Sequence, residues 1–308
     1  MKVQIEKIAE DLYLIPLNLP TAGYKEFISV WLYRGQITCL VDVGPSTTAA
    51  VILHALAELK INQLDYILLT HIHLDHAGAI GEIAEVFPQT PIICHPIARS
   101  HLIEPSRLWA GTQKVLGSMA LIYGPIKPVA GSRLFDANDF KIESVFPLIT
   151  PGHAVHHVSY QTDKYLFAGE AAGVYMALPR NRFYLRPATP PRFFLDIALQ
   201  SMDALIACHP RAICYAHFGI NEDAPVMLKK HRSQLLLWGK VIEDEIKNGH
   251  SKDPINTCIQ RLLEEDPLMA AFDQLTPGEK ERERYFLRNS ISGYIGYLSS
   301  KKSTGRVI

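Results

Sequence analysis

The sequence predicts an α/β (α+β) protein, a four-layer αββα sandwich with a helical C-terminal extension. Short strand-like segments open the chain, strand and helix patterns then alternate, and the pattern becomes helical from about residue 222. We therefore expect a sandwich domain over residues 1–221 and a helical extension packed on that core over residues 222–308.

The first half of the sandwich begins with short segments rich in β-branched and aromatic residues. They predict an antiparallel meander of strands at 3–8, 12–17, 28–33 and 37–42. A helix is expected to follow, capped by Ser46 and its neighbours and continuing to about Lys60. The apolar run at 66–69 then predicts a buried strand.

The second half is expected to contribute the other sheet. Its predicted strands lie at 92–95, 133–135, 140–149, 158–161, 165–168 and 212–215. Segments 100–130 and 179–193 predict long ordered insertions near a functional edge. The basic and aromatic residues 180–186, in the 180–192 loop, predict either a substrate lid or a solvated surface, and we favour the surface.

The extension shows helical periodicity in three segments. Pro225 can open a helix that continues to Asn248, and further helices are predicted over roughly 254–264 and 277–299. Their apolar faces offer surface for packing on the core, for walls of a pocket, or for a homodimer.

Composition excludes several classes of function. The chain has 31 Lys plus Arg and 31 Asp plus Glu, so its charge gives no general attraction for nucleic acid or an anionic membrane. No apolar stretch is long enough to span a bilayer, and the N-terminal residues lack the apolar core of a signal peptide. Five cysteines without Cys-x-x-Cys spacing predict reduced thiols in a cytoplasmic protein.

One nonapeptide, Thr70–Gly78, concentrates residues that can bind a transition metal. It lies between the strand at 66–69 and a helical pattern, where α/β sheets present chemistry. His71 and His73 can reach one ion, whereas Asp75 and His76 point elsewhere, so one turn can begin two adjacent sites.

Distant residues can complete both sites. His153 follows a Pro-Gly turn and is the candidate third ligand of the first site. His217 follows the strand at 212–215 and is the candidate for the second. Glu170 ends another strand and offers a carboxylate that could bridge two cations. His156 and His157 are expected to support these ligands or to belong to a strand.

This pattern resembles the metallo-β-lactamase superfamily, whose His-x-His-x-Asp-His motif is met in full at residues 71–76. His153, Glu170 and His217 follow in the matching order, and the resemblance covers roughly residues 10–220. It implies that Asp42, in the segment Leu40–Gly44, supports the site, although Asp42 could equally cap a turn before Gly44.

Glu170 departs from the family pattern, which usually has aspartate at the bridging position. The longer glutamate could bridge with a shifted backbone, bind one metal only, or weaken the second site. We therefore expect one or two zinc ions, with iron or manganese as alternatives because these ligand types suit all three metals.

The resemblance implies metal-dependent hydrolysis of a small-molecule ester, lactone or thioester, as in lactonase-like and glyoxalase II-like relatives. Asp75 is then also catalytic, because its carboxylate can orient the activated water or assist proton transfer. The alternatives are a mononuclear iron enzyme similar to persulfide dioxygenases, a metallo-nuclease, and a binding protein without catalysis. A nuclease is disfavoured because the chain has no evident basic stripe.

Overall fold

The computed structural model describes residues 3–142, 144–249 and 251–303. Over these ranges two β-sheets stack face to face, and helices cover their outer faces. This arrangement confirms the predicted mixed α/β sandwich with a helical C-terminal region. Residues 304–308 of the predicted extension lie outside the described residues.

The first sheet follows the chain order from its first strand to its last. Pairing is antiparallel up to the fourth strand and parallel from there on. Its strands are β1 (Glu6–Ala9), β2 (Leu12–Leu17), β3 (Ile28–Arg34), β4 (Thr38–Val41), β5 (Tyr66–Leu68), β6 (Ile92–Cys94) and β7 (Leu134–Asp136).

The second sheet is built around one parallel pair with antiparallel neighbours. Its strands are β8 (Phe146–Ile149), β9 (Val158–Gln161), β10 (Tyr165–Gly169), β13 (Ala212–Tyr215) and β14 (Gly219–Asn221), in the order β14-β13-β10-β9-β8. A separate hairpin pairs β11 (Val174–Leu178) with β12 (Arg182–Arg186).

The helices connect the strands and form the C-terminal region. They are α1 (Ala49–Glu58), α2 (Leu74–Ala77), α3 (Ile80–Val86), α4 (Pro96–Ile103), α5 (Ser106–Leu116), α6 (Ser118–Tyr123), α7 (Leu195–Ala207), α8 (Ala224–Asn248), α9 (Pro254–Glu265) and α10 (Pro277–Ser303). Among the helices of the described residues, none combines the length and the apolar character that a membrane-spanning segment requires.

Inner strands of the sandwich, such as β3, are buried on both faces. Val30 and Leu32 pack into the large apolar cluster under the helices, whereas Trp31 and Tyr33 point into the space between the sheets. There Trp31 meets Phe167 of the second sheet, with ring centroids 6.3 Å apart. Successive side chains of a strand point to opposite faces, so one strand serves both cores.

Three sequence-based expectations about the sandwich are wrong. Segments 92–95 and 133–135 form β6 and β7 of the first sheet, because helical crossovers add each strand in parallel beside its predecessor. Among the described residues of 140–149 only β8 is a strand, since Ile142 forms a bridge with Val145 and reverses the chain. Of the predicted cap Ser46-Thr47-Thr48, Thr48 does occupy the N-cap position of α1, but it forms no side-chain cap bond, and the Ser46 hydroxyl donates to the Tyr123 carbonyl oxygen at 3.0 Å.

The expected insertion at 179–193 contains a strand instead of a solvated basic loop. β12 pairs with β11, and the turn between them places Arg180 and Asn181 at positive φ of 63° and 58°. Arg180 and Arg182 are exposed, as expected for a surface, but Arg186 is buried at 2% exposure. The hairpin escaped detection because its turn lacks the Asn-Gly or Asp-Gly signal.

Helix α10 is fixed to the sandwich by a buried ionic cluster. The Arg186 guanidinium donates through Nε to Glu283 Oε2, and Arg282 Nε donates to Glu283 Oε1 at 2.9 Å. Burial alone would raise the pKa of Glu283, but Arg186 and Arg282 outweigh it and hold that pKa below its usual value. The carboxylate therefore stays charged and joins the hairpin to the extension, while the domain boundary at residue 222 stays a prediction.

We predict that Glu283→Gln lowers the free energy of unfolding by roughly 3–5 kcal/mol, because it leaves two buried guanidinium groups without their counter-charge. Denaturant-induced unfolding of both proteins measures this difference. Glu281→Gln, which changes an exposed carboxylate on the same helix, is the matched control and should have little effect. Equal stability of the Glu283→Gln and Glu281→Gln proteins would contradict the role of the cluster.

Candidate metal centre

The residues predicted to bind metal converge at one edge of the sandwich. The nonapeptide leaves the carboxyl end of β5 and begins α2 at Leu74. The other candidates follow the ends of β8, β10 and β13. The structure brings all seven together, in two groups whose donor atoms lie within 4.8 Å of one another: His71, His73, His153 and Glu170; and Asp75, His76 and His217.

The first group surrounds one oxygen of Glu170. Glu170 Oε2 lies 2.8 Å from His153 Nε2 and 3.3 Å from His71 Nε2. His73 presents Nδ1 at 3.0 Å from both of those histidine nitrogens. Three imidazoles and a carboxylate thus point at a common centre, the donor set of a typical transition-metal site.

The second group lies beside the first and shares the same carboxylate. Asp75 Oδ2 is 3.7 Å from His76 Nε2 and 3.8 Å from His217 Nε2. The other oxygen of Glu170, Oε1, is 3.5 Å from His217 Nε2. The glutamate side chain is therefore long enough to face both groups with different oxygens.

The outer nitrogens of the histidines are held by oxygen acceptors. His153 Nδ1 donates to the Ala188 carbonyl oxygen and His217 Nδ1 donates to the Phe27 carbonyl oxygen, both at 3.0 Å. Each bond fixes the tautomer, so the unprotonated Nε2 faces the centre.

Asp42 supports the site from beneath, the role that the resemblance implied. One oxygen accepts from the Thr70 amide at 2.8 Å, and the other accepts from the Thr70 hydroxyl at 2.8 Å and from His76 Nδ1 at 3.0 Å. The Thr70 hydroxyl donates its proton to Asp42, so Thr70 Oγ1 can accept a hydrogen bond from His71 Nδ1 at 3.0 Å. Asp42 itself has φ of 58°, an uncommon conformation that these bonds maintain.

His157 positions Glu170 and is not part of either donor group. Its Nε2 accepts from the Glu170 amide at 3.1 Å, and its Nδ1 donates to Thr150 Oγ1 at 2.9 Å. Burial lowers the pKa of His157 well below its usual value, so the ring stays neutral and can accept. Gly169, at φ of 55°, passes so close to this ring that a Cβ would collide with it. His156 only lines the cavity above, with its ring centroid 5.9 Å from that of His73.

Burial controls the charge of the first group. It lowers the pKa of His71 well below the usual value and that of His73 to about 4, and neighbouring histidines add to the effect. Both rings are neutral near pH 7, which is the form that binds a metal ion.

The surroundings of His76 Nε2 show whether a metal ion fits the second group. Its Nε2 is buried and has no hydrogen-bond partner, although Asp75 and Glu170 lie 3.7 and 3.6 Å away. Burial disfavours its charge, yet Asp75, Asp42 and Glu170 together raise the pKa of His76 well above the usual value. The surroundings therefore attract positive charge at this atom, and the donor set of imidazole and carboxylate fits a divalent transition metal.

A cavity of about 460 Å³ opens above the two groups. Its base includes His73, Asp75, His153, Glu170 and His217. Helices α5 and α10 both contribute to the wall. Most of the surface away from the base is apolar: Phe27, Ile72, Leu74, Leu108, Val115, Leu116, Tyr123, Val174, Pro190, Pro191 and Phe286. The extension therefore contributes to the pocket, as expected.

Sequence reasoning missed Phe27, and for Arg186 it favoured a solvated surface over a role at the substrate. Phe27 precedes β3, contacts His217 and lines the cavity, and Arg186 lines the cavity from β12. A single aromatic residue in a loop gives no signal of such a role. The one clue to the role of Phe27 is that β3 and β4 are antiparallel neighbours. The residue before β3 must therefore lie near the end of β4, which Asp42 follows.

Comparisons with known proteins agree with this geometry. A family model described as the metallo-beta-lactamase superfamily matches residues 23–217. The chain is 28% identical over 226 residues to the metallo-beta-lactamase fold-containing protein ST1585 of Sulfurisphaera tokodaii, which is 69% of this chain and 80% of the relative. It is 29% identical over 141 residues to hydroxyacylglutathione hydrolase of Buchnera aphidicola, covering 46% of this chain and 45% of that enzyme.

A solved structure shares the fold over nearly the whole chain. The metallo-beta-lactamase family protein TTHA1429 from Thermus thermophilus superposes with a TM-score of 0.63 at 19% identity, covering 96% of this chain and 95% of that one. The likeness thus includes the helical C-terminal region. Since the family model alone spans more than half of the sequence, the chain belongs to the metallo-beta-lactamase superfamily.

Proposed function

We propose that the protein is a metal-dependent hydrolase that acts on the carbonyl of an ester, lactone or thioester. The observation that supports this most is the pair of donor groups around Glu170 at the base of a largely apolar cavity. The similarity to hydroxyacylglutathione hydrolase supports the same reaction type over the part of the chain that matches.

The seven predicted residues are the proposed ligands. His71, His73 and His153 would hold one ion and Asp75, His76 and His217 the other, with Glu170 between them. Such an ion supplies an acidic water molecule and a Lewis acid for the carbonyl oxygen. We propose zinc as the metal, while iron and manganese suit the same donors.

Asp75 is the proposed catalytic residue. Its side chain is 17% exposed and lines the cavity, while His76 and His217 flank one carboxylate oxygen. The carboxylate would orient the attacking water, accept its proton and deliver that proton to the leaving group. Asp75 is thus both a ligand and the proton carrier.

The cavity favours an apolar acyl group in the substrate. None of the residues of α5, all of which the structure describes, is buried in the core. Leu108, Val115 and Leu116 of this helix line the cavity, and Val115 is 65% exposed. An acyl chain lying against them would remove apolar surface from water.

We predict that the zinc-loaded protein hydrolyses a compound within a panel of acyl esters, lactones and acyl thioesters, and that His71→Ala or His153→Ala lowers kcat/KM more than roughly 100-fold. Loss of a residue that only supports a ligand already costs 10–100-fold. His54→Ala, which changes a half-exposed residue on α1, is the control. Full turnover by the folded variants would contradict the proposal. Oxygen consumption by iron-loaded protein in the presence of a persulfide would instead favour the alternative, an iron enzyme similar to persulfide dioxygenases.

We also predict that kcat/KM rises with acyl length in a series of linear esters, by at most about fourfold per methylene (about 0.8 kcal/mol), until the chain fills the cavity. Leu116→Ser should flatten this dependence. Gln113→Ser, on the exposed side of the same helix, should leave it unchanged. A rate that is independent of length in the unmodified protein would contradict an acyl site beneath α5.

A further inference from the structure

His217 is held by one residue through two different contacts. The Phe27 carbonyl oxygen accepts from His217 Nδ1 at 3.0 Å, and the Phe27 ring stacks on the imidazole with centroids 4.4 Å apart and planes 27° apart. The position and the tilt of the His217 ring therefore both depend on where Phe27 lies.

Phe27 is in turn held by a residue of the C-terminal region. The guanidinium carbon of Arg282 lies 3.8 Å from the centroid of the Phe27 ring. Two groups cannot both lie this close over one face of a ring, so Phe27 is clamped between Arg282 and His217. A cation over an aromatic face is attracted most strongly where water is excluded, and Arg282 is only 3% exposed.

Arg282 has little freedom of its own. Its Nε donates to Glu283 at 2.9 Å, and its Nη1 donates to the Gly23 carbonyl oxygen in the loop that leads to Phe27. Gly23 also lies against the backbone of Gly278 on α10, so closely that a Cβ would collide there. Helix α10 thus contacts both the Phe27 ring and the loop that carries this residue.

We propose that Arg282 is a positioning residue that acts through Phe27 on His217. The C-terminal helix would thereby set the metal affinity of the second donor group. The inference rests on the proposed role of His217 as a ligand. The first group is held differently, because His71 and His153 make their outer hydrogen bonds to Thr70 and Ala188. Substitution of Arg282 should therefore weaken the binding of one ion selectively.

The test measures the affinity of metal-free protein for each of two equivalents of Zn²⁺ by competition with a chromophoric chelator. Arg282→Lys retains the positive charge beside Glu283 but removes the planar group over Phe27. His217→Ala is the reference for loss of the second group. Arg284→Lys is the matched control, because Arg284 is exposed on the same helix and lies over Phe272.

We expect Arg282→Lys to bind the second Zn²⁺ 10–100-fold more weakly while its first equivalent is unchanged. Arg284→Lys should match the unmodified protein, and His217→Ala should lose the second tight equivalent. If Arg282→Lys does not fold, Phe27→Leu removes the same stacked ring and leaves Arg282 bonded to Glu283, with the same expected result.

Two results would overturn the inference alone, provided that His217→Ala loses the second tight equivalent of Zn²⁺. One is normal affinity for both equivalents in the Arg282→Lys or Phe27→Leu protein. The other is equal weakening of both equivalents in either of these proteins. Retention of both equivalents by His217→Ala would overturn the inference together with the proposed second site.

Discussion

The structure depends on the burial of one carboxylate among histidines. Glu170 is 8% exposed, and histidine nitrogens lie within 3.6 Å of its two oxygens. An ionised carboxylate is expensive to bury unless positive charge or donors surround it. The lone pairs of the imidazoles converge on the same space, so a cation there would stabilise every group at once.

The surrounding fold serves to keep these groups in place. Asp42 joins the ends of β4 and β5 by binding Thr70 and His76, and His157 holds the backbone of Glu170 at the end of β10. On the other side α10 reaches the site through Arg282 and also lines the cavity with Phe286. Under the proposals above, the C-terminal region therefore has a role both in binding the metal and in selecting the substrate.

The sequence predicted the parts of this architecture that have local signals. The motif at 71–76 joins a strand to a helix, and His153, Glu170 and His217 each follow an apolar strand, so their convergence could be inferred from the chain order. The hairpin at 174–186 could not, because its turn residues at positive φ are Arg180 and Asn181. The contact between Arg282 and Phe27 joins residues far apart in the chain, and neither carries a signal of its partner.

Glu170 faces both donor groups although it is longer than the aspartate usual at this position. Elemental analysis of zinc, iron and manganese in protein purified without added metal measures how many ions the two groups hold. The geometry predicts about two ions per chain in the unmodified protein and about one in Glu170→Gln, which keeps the side-chain shape but loses the charge that offsets two cations. One ion in the unmodified protein, or two retained by Glu170→Gln, would show that Glu170 does not serve both groups.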